Sequence, residues 1–323
     1  MTERDFYFAP MEGITLYTFR KVHHRFFPGI RKYYTPFLVA NQTLTFKKRE
    51  LREILPENNG EIPVVPQILT NKADQLLWAV DTLCEYGYQE VNLNLGCPFP
   101  TVVSRGKGAG FLKEPEALEL FFDRFFEGLS GKRSIPRISV KTRIGVEDTG
   151  EAERLLSIYR KYPFSELIVH PRLQKEMYRG NPHWDIFEEF LKAEKDGTGR
   201  LCGNGDIRTV KDYAELQEMF PQCGRWMLGR GLVRDPSLVN QLQGGSPAGR
   251  QTIFSYQEAL YEEYQETIFG EQNVVNKMKE IWSYMGDLFP KGEKALKKLR
   301  KARTKEQYQE AMSRLFETEY LFE

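Results

Sequence analysis

Eight short strand-like runs alternate with helical patterns over the first three quarters of this 323-residue chain. The patterns between them carry apolar residues every three or four positions, as in residues 73–86. Strands that alternate with helices in this way pair in parallel through right-handed crossovers. Eight such units predict an α/β fold of the (β/α)8 TIM-barrel type rather than an open sheet. The predicted strands are Phe6–Ala9, Lys32–Thr35, Pro63–Gln67, Glu90–Asn94, Ile138–Lys141, Leu167–His170, Leu201–Asn204 and Trp226–Leu228.

The chain changes character at a segment rich in Gly, Ser and Pro, residues 241–250. After it, apolar residues recur at helical spacing almost to the end, beginning with Leu260, Tyr264 and Ile268. We therefore predict two domains, a barrel over residues 1–243 and a small all-helical domain over residues 250–323. The second should hold three or four helices.

Composition and charge narrow the classes of protein. No apolar run is long enough to span a membrane, and the charged segment Met1–Asp5 lacks the apolar stretch of a signal peptide. The four cysteines lie far apart without a C-x-x-C pair, which argues against a disulfide framework or a zinc site. We expect a cytoplasmic monomer without a metal. Because the net charge is only +1, a nucleic-acid surface would need a local excess of cations.

The carboxyl ends of the predicted strands carry polar or conformationally special residues. In a TIM barrel these carboxyl ends line one shared mouth, where the chemistry takes place. Turns are commonly polar, which accounts for Asn and Gly at such positions. It accounts less well for Gln67, Lys141 and His170, since each closes an apolar run. The residues at the eight ends are Pro10 with Met11, Thr35, Gln67, Asn94 with Cys97, Lys141, His170, Asn204 with Gly205, and Gly229 with Arg230.

Cys97 lies in the turn Asn94-Leu95-Gly96-Cys97-Pro98, directly after a strand. A packed thiol, a redox sensor and a metal ligand are the alternatives to a catalytic role, and no neighbouring Cys, His or Asp spacing supports the metal. An ordinary thiol, with a pKa of about 8.5, is mostly protonated at neutral pH, which suits a general acid as well as a nucleophile. The glycine-rich segment 106–110 lacks the spacing of a dinucleotide fingerprint. We expect it to be a flexible loop that lets a substrate approach Cys97.

Two further patterns indicate an anionic ligand in the mouth. Lys141 and Arg143 share one face of a strand, so two cations should converge there, unless Lys141 extends its ammonium out of the barrel. The segments 203–207 and 229–231 are rich in glycine and follow strands seven and eight, whose loops commonly bind phosphate in this fold. Arg230 can add a bidentate contact. These features predict a phosphate-bearing cofactor.

The segment Lys291–Lys305 is strongly basic and reads as an amphipathic helix. A charge run is usually only a solvated face. Here the near-neutral total charge makes the local excess notable, and a face of this kind can contact phosphates. The predicted basic face holds Lys294, Lys297, Lys298, Lys301 and Lys305, opposite Ala295, Leu296, Leu299 and Ala302.

The chain resembles the tRNA-dihydrouridine synthases over nearly all of its barrel. The matching pieces occur in the family order, and the helical tail also fits. Two positions depart from the family pattern: Thr35-Pro36 stands where Thr-Glu is common, and Pro171-Arg172-Leu173 stands where Gly-Arg-Thr is common. Both bear on the shape of the substrate pocket. The pieces are Ala9-Pro10-Met11, Gln67, Asn94–Pro98, Val140–Arg143, Val169-His170 with Arg172, Gly203–Ile207 and Gly229–Gly231.

The resemblance implies an FMN enzyme that reduces uridine in tRNA to 5,6-dihydrouridine with NADPH as the reductant. It implies hydride transfer from the flavin to C6 and protonation of C5 by Cys97, and it gives tRNA contacts to the helical domain. The implied cofactor contacts are Ala9, Pro10, Met11, Gln67, Lys141, His170, Asn204, Gly205, Asp206, Gly229 and Arg230. The implied RNA contacts are Asn94, Arg143 and Arg172 at the uridine, with Lys294, Lys298 and Lys301 on the basic helix.

Three alternatives stay open at this point. A flavin barrel acting on a small metabolite, of the dihydroorotate dehydrogenase or ene-reductase kind, explains the phosphate loops but not the basic tail. A divergent member of the family could act on another RNA. A binder without activity is the third, against which the intact Cys97, Lys141 and His170 argue.

Overall fold

The computed structural model describes residues 4–132, 134–193 and 200–322. Residues 1–3 of the charged N-terminal segment thus lie outside the described residues. The strands are β1 (Asp5–Phe8), β2 (Lys32–Tyr34), β3 (Val64–Val65), β4 (Gln67–Ile68), β5 (Glu90–Leu95), β6 (Arg137–Gly145), β7 (Glu166–Leu173), β8 (Leu201–Asn204) and β9 (Arg225–Leu228).

Helices follow most strands and cover the outside of the sheet. They are α1 (Tyr17–Phe26), α2 (Lys48–Ile54), α3 (Pro56–Asn59), α4 (Ala73–Glu85), α5 (Pro100–Val103), α6 (Pro115–Leu129), α7 (Glu151–Tyr159), α8 (Trp184–Ala193), α9 (Val210–Met219), α10 (Arg230–Arg234), α11 (Leu238–Leu242), α12 (Arg250–Thr267), α13 (Glu271–Met285), α14 (Glu293–Lys301) and α15 (Lys305–Phe316). Within the described ranges, no helix combines the length and the apolar character that crossing a bilayer requires.

The sheet closes into a barrel through an interrupted strand. All strand pairs are parallel, in the order β3-β2-β1-β9-β8-β7-β6-β5-β4. Only Pro66 separates β3, which pairs with β2, from β4, which pairs with β5. Proline has no N–H to donate, so it breaks the ladder, although its carbonyl still accepts from the Asn92 N–H at 2.9 Å. The nine segments therefore occupy eight barrel positions, and the predicted TIM barrel is confirmed.

Alternation along the strands sorts side chains between the helices and the barrel interior. On β5, Val91 and Leu93 join the large apolar core, whereas Asn92 and Asn94 bond to side chains of neighbouring strands. Strands β6 and β7 extend beyond their predicted ends, to Gly145 and Leu173, so the alternation carries further polar side chains towards the mouth. A smaller apolar cluster fills the rest of the interior, formed by Tyr7, Ala9, Tyr34, Val65, Ile168, Cys202 and Met227.

Two buried carboxylates close the barrel at the amino ends of the strands. The Lys32 ammonium lies 2.8 Å from Glu90 and 2.7 Å from Glu166. Glu166 also accepts from the hydroxyl groups of Tyr7 and Tyr34. Every member of this cluster is partnered, which a buried charge requires. The cluster lies at the opposite end of the strands from the residues predicted to be functional.

Four helices, α12 to α15, follow the barrel, within the predicted range of three or four. Helix α12 packs on α1, where the Tyr256 ring lies 5.1 Å from that of Phe27. The Lys277 ammonium on α13 donates to the Gly13 carbonyl at 2.9 Å, which ties this helix to the loop after β1. The division into two domains at residues 243–250 stays a prediction.

The predicted basic helix is shorter than its sequence pattern indicates. Helix α14 ends at Lys301, and Lys305 begins the next helix. The placement of Lys305 on the same face is therefore wrong. Ala295 and Leu299 are buried as expected. The exposed lysines of α14 are Lys294, Lys297, Lys298 and Lys301.

The carboxylate cluster at the barrel base yields a stability prediction. Glu166→Ala leaves the buried hydroxyls of Tyr7 and Tyr34 without their acceptor and Lys32 with Glu90 alone. We therefore expect the free energy of unfolding in urea to fall by about 3–5 kcal/mol. As a control, Glu116→Ala removes a carboxylate that is 79% exposed and 3.6 Å from Arg154. That change should cost less than about 1 kcal/mol. Equal losses in the two variants would contradict the role given to Glu166.

Candidate active site

A cavity of about 620 Å³ opens at the carboxyl ends of the strands. Its volume lies within the range of roughly 300–1,000 Å³ that small-molecule and cofactor sites occupy. Every barrel position contributes residues to its wall, from the strand itself or from the loop that follows it. Fourteen residues predicted from the sequence are among them: Ala9, Pro10, Met11, Gln67, Asn94, Cys97, Lys141, Arg143, His170, Asn204, Gly205, Asp206, Gly229 and Arg230.

A column of side-chain hydrogen bonds runs through the barrel interior to this cavity. The Asn94 amide donates to Gln67 Oε1 at 2.6 Å, and the Gln67 amide donates to Asn92 Oδ1 at 2.8 Å. The Asn92 amide donates to Ser139 Oγ at 2.9 Å, and that hydroxyl donates to Glu90 Oε1 at 2.9 Å. A carboxylate can only accept, so the partner at the base fixes the direction of every bond above it. Asn94 is thereby left with its Oδ1 facing the turn that follows β5.

This oxygen holds the backbone of Cys97 in place. Asn94 Oδ1 accepts from the N–H of Gly96 at 3.1 Å and from that of Cys97 at 2.9 Å. Behind the turn, the Cys97 carbonyl accepts from the Ala109 N–H at 3.0 Å. A Cβ at Gly108 would lie 2.7 Å from the same carbonyl, and the φ of +56° at this residue also favours glycine. The expectation of a flexible loop at 106–110 is therefore wrong, because a buried 3₁₀ turn, Gly108–Lys113, supports Cys97 from behind.

The Cys97 thiol is half-buried in the cavity wall. Burial raises its pKa above the ordinary value, against the lowering effects of the Phe99 N–H and the Arg143 guanidinium. The thiol is therefore protonated at neutral pH. A protonated thiol in a cavity that excludes part of the solvent is suited to donate a proton.

Lys141 is a cation without a partner. Its ammonium makes no hydrogen bond or ion pair with any part of the chain that the structure describes, although it lines the cavity. Burial and the neighbouring Arg143 lower its pKa to about 7. A half-buried ammonium is costly to leave unpaired. An anionic or electron-rich group on a ligand would supply the missing partner.

His170 is held as a neutral hydrogen-bond donor. An Arg172 Nη1 lies 3.1 Å from His170 Nε2. A guanidinium cannot accept, so Nε2 accepts and the ring proton lies on Nδ1. Burial, together with the charges of Arg143 and Lys141, lowers the pKa of His170 well below its ordinary value. The ring therefore offers one N–H and no charge to a ligand in the cavity.

The two arginines predicted to contact a substrate are buried and bound to the protein itself. Arg143 donates to the carbonyls of Gly96, Leu173 and Met177 at 3.0, 2.8 and 2.6 Å. It borders the cavity, so direct contact with a substrate stays a prediction. Arg172 is fully buried behind His170, outside the cavity wall. Its side chain contacts His170 and Asp206, and a contact with the substrate stays a prediction.

Asp206 connects the cations around the loop after β8. It accepts from Arg172 at 2.5 Å and from Arg230 at 2.6 Å. Burial opposes ionisation, but the bonds and charges of these two arginines lower the pKa of Asp206 overall. Next to it, a Cβ at Gly205 would lie 2.5 Å from the Trp184 ring, so a side chain there is excluded. Asp206 thus orients Arg230 at the rim, while the backbone at Gly205 stays accessible.

Sequence reasoning missed four aromatic residues that line the cavity: Phe37, Phe99, Tyr178 and Tyr284. Tyr178 is 44% exposed, and its ring centroid lies 5.0 Å from the Arg230 guanidinium carbon. It belongs to a loop, and Tyr284 belongs to α13, far along the chain. Neither lies near a recognisable motif. Only the packing of α13 against the barrel mouth brings Tyr284 to the site.

The raised pKa of Cys97 predicts slow alkylation. The rate with iodoacetamide, followed by peptide mass spectrometry, should be below that of an ordinary thiol at pH 7–8 and reach half of its plateau above pH 8.5, the approximate ordinary thiol pKa. The same chain unfolded in urea is the control, in which the Cys97 peptide should titrate as an ordinary thiol. A folded-state midpoint below that of the unfolded chain would contradict a protonated thiol.

The chain is similar to known proteins over most of its length. The family model described as "Dihydrouridine synthase (Dus)" matches residues 7–320. The chain is 31% identical over 239 residues to a protein of Staphylococcus aureus strain Mu50 named "Probable tRNA-dihydrouridine synthase", with 72% of this chain and 69% of that protein covered. It is 30% identical over 236 residues to "Probable tRNA-dihydrouridine synthase 2" of Bacillus subtilis strain 168, with 72% and 70% covered.

A solved structure supports the fold alone. Morphinone reductase matches with a TM-score of 0.52 at 10% identity, over 77% of this chain and 88% of that one. Among the described residues, no three His, Cys, Asp or Glu side chains form a group that could hold a metal ion. With a family model that matches nearly the whole length, the chain belongs to the dihydrouridine synthase family of oxidoreductases.

Proposed function

We propose that this protein is an FMN-dependent synthase that reduces uridine to 5,6-dihydrouridine in tRNA, with NADPH as the reductant. One observation carries the proposal: the same cavity holds a protonated thiol, on Cys97, and an amino group without a partner among the described residues, on Lys141. Both relatives described above bear the name of a tRNA-dihydrouridine synthase. An oxidoreductase that acts on a small metabolite needs no exposed basic helix such as α14.

The cavity suits FMN in its donor set. Lys141, the Nδ1–H of His170 and the Gln67 amide would contact the ring system or the ribityl chain. The backbone around Gly205 and Gly229, with Arg230, would hold the phosphate. When bound and reduced, FMN supplies a hydride for C6 of the uracil. The remaining cofactor contacts proposed from the family pattern are Ala9, Pro10, Met11, Asn204 and Asp206.

Cys97 would deliver the proton that completes the reduction. Hydride at C6 and a proton at C5 together saturate the C5–C6 double bond, so the thiol hydrogen passes to C5 and leaves a thiolate. Burial raises the pKa of Cys97, but the charges of Arg143 and Lys141 oppose this rise, and they would stabilise that thiolate until it takes a proton from solvent. Asn94 fixes the turn from which the thiol approaches the ring.

The helices after the barrel would hold the RNA. A uracil must leave its stack to enter the cavity, which costs a few kcal/mol. Phosphate contacts from the exposed lysines of α14 would offset part of this cost. Residues 250–323 would then act as an RNA-binding domain beside the catalytic barrel, residues 1–243. Lys294, Lys298 and Lys301 are the proposed tRNA contacts.

The proposal predicts a separation of flavin binding from catalysis in Cys97→Ala. The variant should retain bound flavin and its NADPH oxidation by dissolved oxygen, because neither needs the thiol. Formation of dihydrouridine in tRNA, measured by nucleoside mass spectrometry, should fall by about 10²–10⁴-fold, the usual contribution of a general acid. Full activity of the variant would remove Cys97 from the reaction. Wild-type turnover of dihydroorotate or an enone, with no product in tRNA, would favour a small-metabolite enzyme.

A second prediction concerns the basic face of α14. The double change Lys298→Glu with Lys301→Glu should weaken tRNA binding by at least about tenfold at low salt and reduce the slope of log affinity against log salt. The flavin spectrum should stay unchanged. Lys161→Glu with Lys192→Glu, which reverses two lysines at the opposite end of the barrel, is the matched control. Equal affinity of both double variants across the salt series would leave the α14 lysines as a solvated surface only.

A further inference from the structure

A second cavity, of about 290 Å³, adjoins the active-site cavity. Glu12, Pro36 and Phe37 line both cavities, so one thin wall separates them. Its other walls come from the start of α1, from α2 and from the end of α12. The second cavity therefore opens beside the mouth, between the barrel loops and the first helix after the barrel.

The walls of this cavity combine apolar surface with an unused hydroxyl group. Leu16, Phe37 and Ile268 provide apolar and aromatic contacts. The Tyr264 hydroxyl is fully buried and has no hydrogen-bond partner in the part of the chain that the structure describes. A buried polar group without a partner costs about 1–3 kcal/mol. A ligand with a hydrogen-bonding edge would recover this free energy.

The carboxylates of Glu50 and Glu53 are buried in the wall of the cavity, whereas Glu12, Arg49 and Arg52 are exposed at its rim, where two cations face one carboxylate. The Glu53 carboxylate pairs with Arg20 at 2.8 Å and accepts from the Tyr17 N–H at 2.8 Å. A phosphate would therefore be repelled inside and attracted at the rim. This arrangement suits a neutral heteroaromatic ring inside and a phosphodiester outside.

We propose that the second cavity binds the base of a nucleotide adjacent in the RNA to the uridine that is reduced, an inference that rests on the proposed function. Phe37 and Ile268 would contact the faces of the base, the Tyr264 hydroxyl would bond to its edge, and Arg49 or Arg52 would contact the connecting phosphate. Holding two neighbouring bases in separate cavities stabilises the unstacked strand on both sides of one phosphate. Base contacts of this kind also distinguish one RNA sequence from another.

The test fills the cavity and removes the base in turn. Ile268→Trp places an indole in the cavity, whereas Met219→Trp adds one at the 52%-exposed end of α9, at the far end of the barrel. Each full-length protein receives tRNA transcripts that are intact or abasic on the 5′ or the 3′ side of the reduced uridine. For the wild type and Met219→Trp, we expect dihydrouridine formation to fall at least about fivefold with one of the abasic transcripts, as the loss of one stacked base implies.

For Ile268→Trp, the rate should already be low with intact tRNA and should not fall further with the abasic one. Tyr264→Phe, which removes only the hydroxyl, should show a smaller loss in the same direction. The proposal would be overturned if the wild-type rate of dihydrouridine formation were the same with the intact transcript and with both abasic transcripts. The proposal would also be overturned if Ile268→Trp slowed only the reduction of the flavin by NADPH. That result would indicate that the cavity binds the dinucleotide. A wild-type protein that makes no dihydrouridine in any RNA would instead refute the proposed function.

Discussion

The hydrogen-bond column inside the barrel is the constraint on which the site depends. It starts at Glu90, a buried carboxylate that is itself paired with Lys32, and it ends at the amide oxygen that holds the Cys97 backbone. Because each amide both donates and accepts, reversing one of them would leave two buried groups unpaired. The carboxylate at the base of the barrel therefore sets the donor and acceptor of each hydrogen bond up to the turn that carries Cys97. The ion pairs at the amino ends of the strands serve the geometry of the thiol as well as the stability of the fold.

The barrel could be predicted from the sequence because its outer face is apolar with period two. This signal located each strand but not always its end. On β6 and β7 the side chains near the mouth alternate between apolar and buried polar ones such as Arg143 and Arg172, so the apolar run stops before the strand does. On the third strand, Pro66 divides one predicted run into two segments without opening the sheet. Hydrophobic patterning indicates which residues of a strand are buried against the helices. It gives little information on where a strand ends when the residues on its inner face are polar.

The site was predictable to the extent that topology alone brings strand ends together. Gln67, Cys97, Lys141 and His170 come to one cavity because they lie near the carboxyl ends of parallel strands in a closed sheet. What each side chain does there depends on contacts across the chain. Only the structure shows that Arg172 is occupied with His170 and Asp206, and only the packing of α13 places Tyr284 in the wall. The glycines at 106–110 pack tightly behind the thiol, which their number alone could not indicate, since glycine serves close approach as readily as flexibility.

Burial and the charges at the mouth together explain how one site can hold a protonated thiol and favour an anionic ligand. Lys141, Arg143, Arg172 and Arg230 surround His170, and Asp206 offsets only the last two through direct bonds. Burial, together with this surplus of charge, keeps His170 neutral and lowers the pKa of Lys141 to about 7. An anion in the cavity would reverse this effect on Lys141, because it favours the charged ammonium. The cavity therefore has an excess of positive charge that an anionic ligand would offset. Burial keeps the nearby thiol protonated, while Arg143 and Lys141 would limit the cost of the thiolate left by the proposed proton donation.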